Sequence, residues 1–359
     1  MKNTYSLIMA GGVGSRFWPM STQHMPKQFL DVLGIGKSLL RLTFERMEKI
    51  SEVSNIYVLT NESYLNLVLE QLPELTALQV ICEPERKNTA PCIAFAAAKI
   101  YDLNPQANLV ISPSDHLIVQ IERFKSLVDI ALNESEKGQL VTLGIQPSRP
   151  DTGYGYIEFT ADQVTAGDVH AVNRFCEKPD LETAKAFVAA GNYVWNSGIF
   201  IWKAETILNA LHSFQPDLFE IFCKNTQAYN SEAEIGFMKN AFSACEDISI
   251  DFAVMEHAKN VSVVLSDFDW SDLGTWGSLI DHMKLDENQN AIVGDHVFMF
   301  DTNNCLIHLP KDKVVLLDGI QDTIVVESDG MLMILRKDKE QDLKKYLKQM
   351  QEKKPSLFL

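Results

Sequence analysis

The stretch that decides the fold is Leu7-Ile8-Met9-Ala10-Gly11-Gly12-Val13-Gly14-Ser15-Arg16, followed closely by Pro26-Lys27-Gln28. A short apolar run that ends in glycines predicts a buried strand whose carboxyl end turns tightly. Glycines at that point let backbone N–H groups approach an anion closely, because no Cβ stands in the way. Arg16 and Lys27 add two side-chain cations. The stretch therefore predicts a polyphosphate site at the end of the first strand.

Two better-known glycine motifs do not fit this stretch. A dinucleotide-binding turn needs G-x-G-x-x-G, and Phe17 stands where the third glycine belongs. A P-loop needs G-x-x-x-x-G-K-[ST]. Gly36-Lys37-Ser38 supplies the end of that motif, but Asp31 occupies the position of its first glycine. We interpret Gly36-Lys37-Ser38 instead as the start of a helix that Ser38 caps.

Composition and charge narrow the class of protein. The chain has 359 residues, of which 46% are hydrophobic and 22% charged, as in a soluble globular protein with one sizeable domain and a smaller one. A net charge of −16 argues against a nucleic-acid partner. No apolar run approaches the ~20 residues of a membrane span, and no signal-peptide pattern opens the chain, so no membrane partner is expected. Six scattered cysteines without C-x-x-C spacing predict free thiols in a reducing cytoplasm.

The first half of the chain alternates predicted strands with predicted helices. Strands are predicted at Ser6–Ala10, Ile56–Thr60, Leu78–Cys82, Leu109–Ser112 and Leu140–Leu143, and helices at Leu39–Ile50, Tyr64–Leu72, Thr89–Leu103 and Phe124–Glu136. This alternation predicts an α/β fold with a Rossmann-like, mostly parallel mixed sheet flanked by helices. The glycine turn, Glu83–Pro91 and Ser112–Asp115 follow strand ends, where ligands of such sheets collect.

From Tyr154 onward the pattern predicts strands and longer loops, and after about Asp286 a small all-β unit. The strands are predicted at Tyr156–Phe159, Val172–Cys176, Gly198–Trp202 and Val261–Leu265, and then at Val297–Phe300, Leu306–His308, Lys313–Leu317, Thr323–Glu327 and Met331–Leu335. The short late strands, broken by Asp, Asn or Gly, indicate either a meander or a few coils of a β-helix. A lysine-rich helix, Lys337–Lys353, is interpreted as a solvated surface helix. We expect one domain over residues 1–285 and a second over 286–359.

Two aspartates are candidate ligands for a metal ion. Asp115 follows a predicted strand in Ser112-Pro113-Ser114-Asp115-His116, and Asp272 lies far downstream in Trp270-Ser271-Asp272-Leu273-Gly274. A carboxylate just past a strand end, in a phosphate-binding crevice, suits Mg²⁺, which takes one or two carboxylates plus substrate oxygens. Spacing alone also allows a helix cap or turn for Asp115 and an ordinary turn for Asp272.

A second group of polar motifs suits a phosphorylated sugar. In Glu177-Lys178-Pro179 the lysine is placed to neutralise a sugar phosphate and the glutamate to bind hydroxyls. The alternative is a surface ion pair contributing under about 1 kcal/mol. Asn196-Ser197-Gly198 and Gly153-Tyr154-Gly155-Tyr156 offer an amide, a hydroxyl and close backbone approach, although each is also a common turn. No Ser/His/Asp or Cys/His arrangement supports covalent catalysis.

Taken together, the motifs resemble those of the sugar-1-phosphate nucleotidyltransferases, and within them the mannose-1-phosphate guanylyltransferase branch. The resemblance covers nearly the whole chain. Besides the glycine turn and Pro26-Lys27-Gln28, it rests on Phe17-Trp18-Pro19-Met20-Ser21, Lys87-Asn88-Thr89-Ala90-Pro91, Ser112–His116, Phe175–Pro179, Asn196–Phe200, Ser249–Glu256 and Trp270–Gly274. Val13, Ser15 and Phe17 depart from the more usual Ser, Thr and Leu, but no charged or metal-binding group is lost.

The resemblance implies transfer of GMP from GTP to α-D-mannose 1-phosphate, with Mg²⁺ and without a protein nucleophile. It also implies a monofunctional transferase that lacks the isomerase domain of longer relatives, and we separately expect a homodimer. Catalytic roles are implied for Arg16, Lys27, Asp115 and Asp272, the two aspartates holding Mg²⁺. Nucleotide contacts are implied for Ala10, Gly11, Gly12, Gly14, Ser15, Arg16, Lys27, Glu83, Asn88 and Ser114, and sugar contacts for Gly155, Glu177, Lys178 and Asn196.

Three other interpretations remain open on the sequence. The same chemistry is possible with another base or sugar, such as dTTP with glucose 1-phosphate. A non-catalytic regulatory homologue that binds GDP-mannose is a second possibility, although the presence of both Asp115 and Asp272 favours an enzyme. A third interpretation makes the C-terminal β segment an oligomerisation module, because Thr323–Leu335 is apolar for so small a unit.

Overall fold

The computed structural model describes residues 2–160, 164–224 and 226–354. The helices are α1 (Leu39–Met47), α2 (Leu65–Gln71), α3 (Thr89–Leu103), α4 (Ile121–Ser135), α5 (Leu181–Ala190), α6 (Ala204–Phe214), α7 (Pro216–Cys223), α8 (Glu234–Ala244), α9 (Trp276–Ile280) and α10 (Leu343–Lys353). The strands are β1 (Thr4–Met9), β2 (Ile56–Asn61), β3 (Val80–Glu83), β4 (Asn108–Pro113), β5 (Leu117–Ile118), β6 (Leu140–Ile145), β7 (Tyr156–Phe159), β8 (Val169–Cys176), β9 (Tyr193–Lys203), β10 (Val261–Ser266), β11 (Trp270–Ser271), β12 (Ala291–Val293), β13 (His296–Phe300), β14 (Leu306–His308), β15 (Val314–Asp318), β16 (Thr323–Ser328) and β17 (Met331–Arg336).

The chain forms two compact units, each assembled from three separate segments. The first unit comprises Met1–Gly11, Thr43–Ser114 and Ile118–Trp270. The second comprises Gly12–Leu42, Asp115–Leu117 and Ser271–Leu359. From Gly12 onward the glycine turn therefore belongs to the same compact unit as the C-terminal β segment, while Gly11 and the strand that precedes it belong to the first unit. The predicted domain boundary between residues 285 and 286 stays a prediction.

A large mixed sheet forms the centre of the first unit. Among the described residues it has nine strands, in the order β3-β2-β1-β4-β9-β6-β10-β8-β7. Strand β1 pairs in parallel with β2 and β4, and β6 pairs in parallel with β10. Strands β8 and β9 run antiparallel to the strands beside them. The predicted α/β fold with a mostly parallel mixed sheet is confirmed.

Helix α3 covers this sheet and is buried on every side. Its residues from Ala90 to Ile100 are buried, as expected of a helix that is apolar all round. The Phe95 ring packs against aromatic rings of later helices, including Phe222 at 6.3 Å and Phe242 at 6.3 Å between ring centroids. The predicted bounds of α3 are those observed. None of the helices in the described ranges combines the length and apolar character needed to cross a membrane.

The four strands predicted between Tyr154 and Asp286 are confirmed as β7, β8, β9 and β10, but the prediction of loops between them is wrong. Helices α5 to α8 lie between residues 181 and 244. They are 8 to 11 residues long and rich in apolar side chains, so they give only a weak helical periodicity. Local signals were nevertheless present. Asp180 caps α5 by accepting the N–H of Thr183 at 2.8 Å, and Pro216 begins α7.

The C-terminal part of the second unit has the coiled β arrangement that the sequence predicts. Strands β12 to β16 alternate between a sheet ordered β12-β14-β16-β17 and a smaller sheet of β13 and β15, and β17 pairs antiparallel with β16. The pairs β12–β14, β14–β16 and β13–β15 are parallel, as in the coils of a β-helix. The predicted final helix begins later than expected, because residues Lys337–Asp342 form a 3₁₀ turn before α10.

A single apolar cluster joins the glycine-turn segment to these coils within the second unit. Phe17 packs against Trp276, with 4.7 Å between ring centroids, and both side chains are fully buried. The cluster also includes Ile324 of β16 and Leu343 of α10. Burial of a large aromatic side chain contributes about 1.5–3 kcal/mol. The coils therefore supply the core on which the glycine turn rests.

Candidate active site

The glycine turn in the second unit is shaped around Lys27. Gly14 has φ +70°, and a Cβ added there would collide with the Cβ of Lys27. The Lys27 N–H donates to the carbonyl of Val13 at 3.1 Å, and the Ser21 hydroxyl donates to the same carbonyl. Only glycine combines this positive φ with such close approach. The turn therefore needs a glycine at position 14 to bring Lys27 against it.

Lys27 is a buried cation that connects both candidate metal ligands. Its side chain is 3% exposed. The ammonium nitrogen lies 3.3 Å from Oδ2 of Asp115 and donates to the backbone carbonyl of Asp272 at 2.7 Å. The same ammonium lies 5.2 Å from the centre of the Phe17 ring. A buried ammonium held in this way is a fixed positive charge in the wall of a cavity.

That cavity has a volume of about 220 Å³ and collects several of the predicted residues. Its lining includes Gly14, Ser15, Arg16, Lys27, Asp115 and Asp272, together with Phe17, His116, Leu273, Gly274 and Lys344. The second unit thus brings together the four residues with predicted catalytic roles. Gly12 belongs to the same turn but does not line the cavity, and a Cβ there would meet no atom within 4 Å.

The charge state of Asp115 suits a cation. Burial raises the pKa of this carboxyl, but the nearby Lys27 and His116 outweigh that effect and lower the pKa below its usual value. Asp115 is therefore ionised near neutral pH. One carboxylate oxygen of Asp272 accepts the N–H of Gly274 at 2.9 Å, which fixes its orientation in the turn.

The donor set fits a hard divalent cation that also binds substrate oxygens. Across the residues that the structure describes, no group of three or more His, Cys, Asp and Glu side chains is placed to hold a metal ion. Two carboxylates in one cavity are nevertheless what Mg²⁺ requires when phosphate and water supply its other ligands. The site therefore matches a metal that arrives with an anionic substrate.

In the first unit, Ala10 and Ser114 lie at the carboxyl ends of adjacent parallel strands. The Ala10 N–H donates to Leu59 at 2.7 Å, and its carbonyl accepts the Thr60 hydroxyl at 2.8 Å. The Ser114 N–H donates to Met9 at 3.0 Å. Gly11 follows Ala10 directly, and a Cβ there would meet no atom within 4 Å. This edge of the sheet therefore leaves room for close approach at Gly11.

Glu83 ends strand β3 at the same edge of the sheet and is 6% exposed. Burial raises the pKa of this carboxyl to about 7, although a hydrogen bond from Cys92 and the charge of Arg86 oppose the change. Asn88 has φ +64°, and its side chain accepts the N–H of Thr89 at 3.0 Å as the cap of α3. A buried carboxyl beside a strained helix start is an uncommon arrangement, and such groups cluster at functional sites.

A second group in the first unit surrounds Gly155. The carboxylate of Glu177 occupies the space beside Gly155, so a Cβ at that position would collide with it. The Glu177 side chain is 10% exposed and pairs at 2.5 Å with Lys178, whose own side chain is 62% exposed. The Asn196 N–H donates to the Gly155 carbonyl at 2.8 Å. Gly155, Glu177, Lys178 and Asn196, predicted separately, therefore lie in one cluster.

Asp251 belongs to this cluster, although the sequence analysis gave it no role. The Asn196 amide donates to Oδ1 of Asp251 at 2.9 Å, while its own carbonyl oxygen accepts from Thr142 at 3.1 Å and from Gly198 at 3.1 Å. Burial and the adjacent Glu177 raise the pKa of Asp251 to about 7. Asp251 begins a π-helical turn, Asp251–Met255, a conformation frequent at functional sites. The usable signal in the sequence was the motif Ser249–Glu256 itself.

Comparison with known proteins assigns the chain to a protein family. Residues 5–289 match the model of the nucleotidyl transferase family, and residues 294–350 match a β-helix domain described as MannoseP isomerase/GMP-like. The chain therefore belongs to the nucleotidyl transferase family, whose members generally use a divalent metal ion.

Three similar proteins narrow the comparison. The mannose-1-phosphate guanylyltransferase of Klebsiella pneumoniae is 37% identical over 352 residues, which cover 96% of this chain and 74% of that protein. The alginate biosynthesis protein AlgA of Pseudomonas aeruginosa is 37% identical over 349 residues, with coverage of 95% and 71%. A crystal structure from Thermus thermophilus, titled mannose-1-phosphate geranyltransferase, has a TM-score of 0.87 at 27% identity and covers 97% of this chain and 99% of that one. The resemblance inferred from the motifs is confirmed.

Proposed function

We propose that the protein transfers GMP from GTP to α-D-mannose 1-phosphate, giving GDP-mannose and pyrophosphate. The observation that carries this proposal is the cavity in which Arg16 and Lys27 face the carboxylates of Asp115 and Asp272. Cations for a polyphosphate and carboxylates for a metal ion occur together there, as nucleotidyl transfer requires. The identity of the sugar and of the base is supported by the similar guanylyltransferases.

The reaction needs no protein nucleophile and no protein base. An oxygen of the sugar phosphate attacks the α-phosphorus of GTP in line, forming a new P–O bond. The bond from the α-phosphorus to the oxygen that bridges it to the β-phosphorus breaks, and its electron pair leaves with pyrophosphate. The phosphate monoester is already a dianion, so the protein has to align and neutralise the reactants.

Each charged residue then has a defined task. Arg16 and Lys27 bind the phosphates of GTP, and the Gly11–Gly14 turn lets backbone N–H groups approach them. When bound by Asp115 and Asp272, Mg²⁺ would neutralise negative charge on the phosphate oxygens. Ser15 and Ser114 lie beside these groups in the chain and are proposed as nucleotide contacts. Two polyanions can meet in a protein of net charge −16 because these cations are concentrated locally.

Glu83 is proposed to select the base. The Watson–Crick edge of guanine presents two neighbouring N–H donors, which a carboxylate can accept together. Burial holds this carboxyl in an apolar setting, where an unmatched base leaves it without partners. Asn88, at the start of α3, is proposed as a second contact to the nucleotide. Adenine, which places a donor beside an acceptor, does not match this carboxylate.

The cluster around Gly155 is proposed to bind mannose 1-phosphate. Glu177, Asn196 and Asp251 accept and donate hydrogen bonds to sugar hydroxyls, and Gly155 lets the ring approach the backbone. Lys178, more exposed than its neighbours, is proposed to pair with the phosphate. A site built to bond a hydroxyl discriminates strongly against a sugar that lacks it or turns it the other way.

The test measures the release of pyrophosphate when each of four nucleoside triphosphates is combined with each of two sugar 1-phosphates. We expect GTP with mannose 1-phosphate to exceed every other pair by at least tenfold in kcat/KM. Stronger activity with dTTP and glucose 1-phosphate would overturn the base and sugar assignment. Binding of GDP-mannose with no turnover of any pair would instead indicate a regulatory homologue.

The assembly and location are also proposals. We propose a homodimer, supported by apolar side chains on one face of β13 and β15. Phe298, 53% exposed, lies beside Leu316, 66% exposed, in the pairing of these strands. Light scattering that shows a strict monomer at micromolar concentration would reject the proposed homodimer.

A cytoplasmic location is supported by six free cysteines.

A further inference from the structure

The C-terminal helix α10 adds a cation to the phosphate cavity. Lys344 lines the 220 Å³ cavity together with Arg16, Lys27, Asp115 and Asp272. More than seventy residues separate Lys344 from Asp272 in the chain, and more than three hundred separate it from Arg16. We propose that Lys344 binds the β- and γ-phosphates of the nucleotide and the pyrophosphate that leaves. This inference rests on the proposed function for the identity of those phosphates.

The start of α10 is held beside the segment that carries Asp272. The N–H of Gly277, near the start of α9, donates to Oε2 of Glu340 at 2.8 Å. A Cβ at Gly277 would lie 2.9 Å from the other oxygen of the same carboxylate, so glycine makes this close approach possible. Leu343, the first residue of α10, is 4% exposed in the cluster that contains Phe17 and Trp276. The hydrogen bond to Glu340 and the packing of Leu343 therefore fix the backbone position of Lys344.

The position of Lys344 in its helix does not favour a role in helix stability. Lys344 is the second residue of α10, whose N-cap is Asp342 and whose first turn contains no acidic residue. A cation at a helix N-terminus is disfavoured by about 0.3–1 kcal/mol, because the helix dipole is positive there. An anion bound at this helix start would interact favourably with both the dipole and the lysine. The same dipole would then assist the lysine in attracting phosphate.

The charge of this helix contrasts with that of the chain. Helix α10 carries four lysines and one glutamate in a protein of net charge −16. Within the described residues, Lys344 is the lysine of α10 that lines the cavity with Asp115 and Asp272. Lys344 also lines a neighbouring cavity of about 830 Å³, which reaches neither aspartate, and Lys348 lines only that neighbouring cavity. Lys344 and Lys345 are both exposed, but Lys345 lines neither cavity.

The two adjacent lysines provide a matched comparison. Lys344→Met and Lys345→Met each remove one positive charge from the same helix. Lys344 lines the phosphate cavity, whereas Lys345 does not. Titration calorimetry with inorganic pyrophosphate in the presence of Mg²⁺ measures anion binding without catalysis. We expect Lys344→Met to raise the Kd for pyrophosphate at least tenfold. Lys345→Met should stay within about twofold of the unchanged protein, and Lys344→Arg should retain most of the affinity.

Kinetics supply a second readout that a merely structural role would not produce. Lys344→Met should lower kcat/KM for GTP by a similar factor and leave the KM for mannose 1-phosphate unchanged. Equal pyrophosphate affinities in Lys344→Met and Lys345→Met, or no pyrophosphate binding by the unchanged protein, would overturn the inference. If pyrophosphate binding depends on Lys344 but no nucleotide reacts, the proposed function fails while the assignment of Lys344 stands.

Discussion

The ammonium of Lys27 lies 3.3 Å from a carboxylate oxygen of Asp115, although the two residues are 88 positions apart in the chain. The same ammonium donates to the carbonyl of Asp272, a further 157 positions beyond Asp115. One buried cation therefore connects three distant segments at a single cavity. A site assembled in this way is sensitive to the loss of any one of its charges.

The first prediction concerns the two aspartates. Asp115→Asn and Asp272→Asn should each lower kcat at least about 100-fold while the fold is kept, because each removes a charge that holds the divalent ion. Asp312→Asn, an exposed aspartate of the same unit, is the control and should leave turnover unchanged. Pyrophosphate release measures turnover, and circular dichroism checks the fold. Near-normal turnover in both active-site variants would contradict the metal assignment.

The second prediction tests whether a substitution at Gly14 acts through backbone strain or through steric collision with Lys27. Gly14 and Gly36 both have positive φ, but only at Gly14 would a Cβ strike Lys27, whereas at Gly36 it would meet nothing within 4 Å. Gly14→Ala should lower kcat/KM for GTP about 100-fold through displacement of Lys27. Gly36→Ala should cost about 1–2 kcal/mol of stability and leave kinetics within a few-fold. Similar kinetic losses in both would show that strain alone accounts for the effect.

The third prediction assigns Lys178 to one substrate. Lys178→Ala should raise the KM for mannose 1-phosphate about tenfold or more, because it removes the proposed partner of the sugar phosphate. The KM for GTP should not change. Lys185→Ala, which breaks a surface pair with Glu182 on helix α5, is the control for general loss of positive charge. An effect confined to GTP would refute the assignment.

The fourth prediction concerns pH and stability. Burial raises the pKa of Asp251 from 3.8, and that of Glu83 from 4.5, to about 7 in each case. Glu177 adds to the rise at Asp251, while Lys178 and Asn196 oppose it. At these two carboxyls the native protein therefore binds more protons than the unfolded chain between about pH 4 and pH 7, so the stability that they contribute falls as the pH rises through this range.

Isosteric amides test this directly. Asp251→Asn and Glu83→Gln should each make the decline of the thermal midpoint between pH 5 and pH 8 shallower, because neither amide titrates. Asp312→Asn should leave the slope unchanged. A slope that is the same in all three variants would show that these two carboxyls are not the groups that titrate.

Much of the fold followed from local patterns. The apolar runs before Gly11 and Glu83 lie on parallel strands, and Thr89–Leu103 has the predicted bounds because its apolar residues cover every face. Helices α5 to α8 were assigned to loops, because segments of 8 to 11 residues give only a weak helical periodicity. The sheet order, with β9 inserted between β4 and β6, depends on pairings across the whole unit.

Residues of the candidate site could be predicted where a side chain of suitable chemistry lies in a turn that the sequence itself indicates. Lys27, Asp115 and Asp272 were identified from their residue types, and the structure places them at one cavity. Asp251 was not assigned, since nothing local reveals that the Asn196 amide would turn toward it. Helix α10 is mostly exposed, as predicted, but its sequence did not indicate that Lys344 lines the cavity. Its position depends on the contact between Glu340 and Gly277, which are 63 residues apart.

The shared core of Phe17, Ile324 and Leu343 has a consequence for the order of events during synthesis. A ribosome makes the glycine turn within the first tenth of the chain and its supporting coils only in the last fifth. Until those coils emerge, the apolar side chains of residues 12–42 lack the partners that cover them, and chaperones would meet them in that state. Assembly of the glycine turn is therefore among the last steps on the way to the native structure.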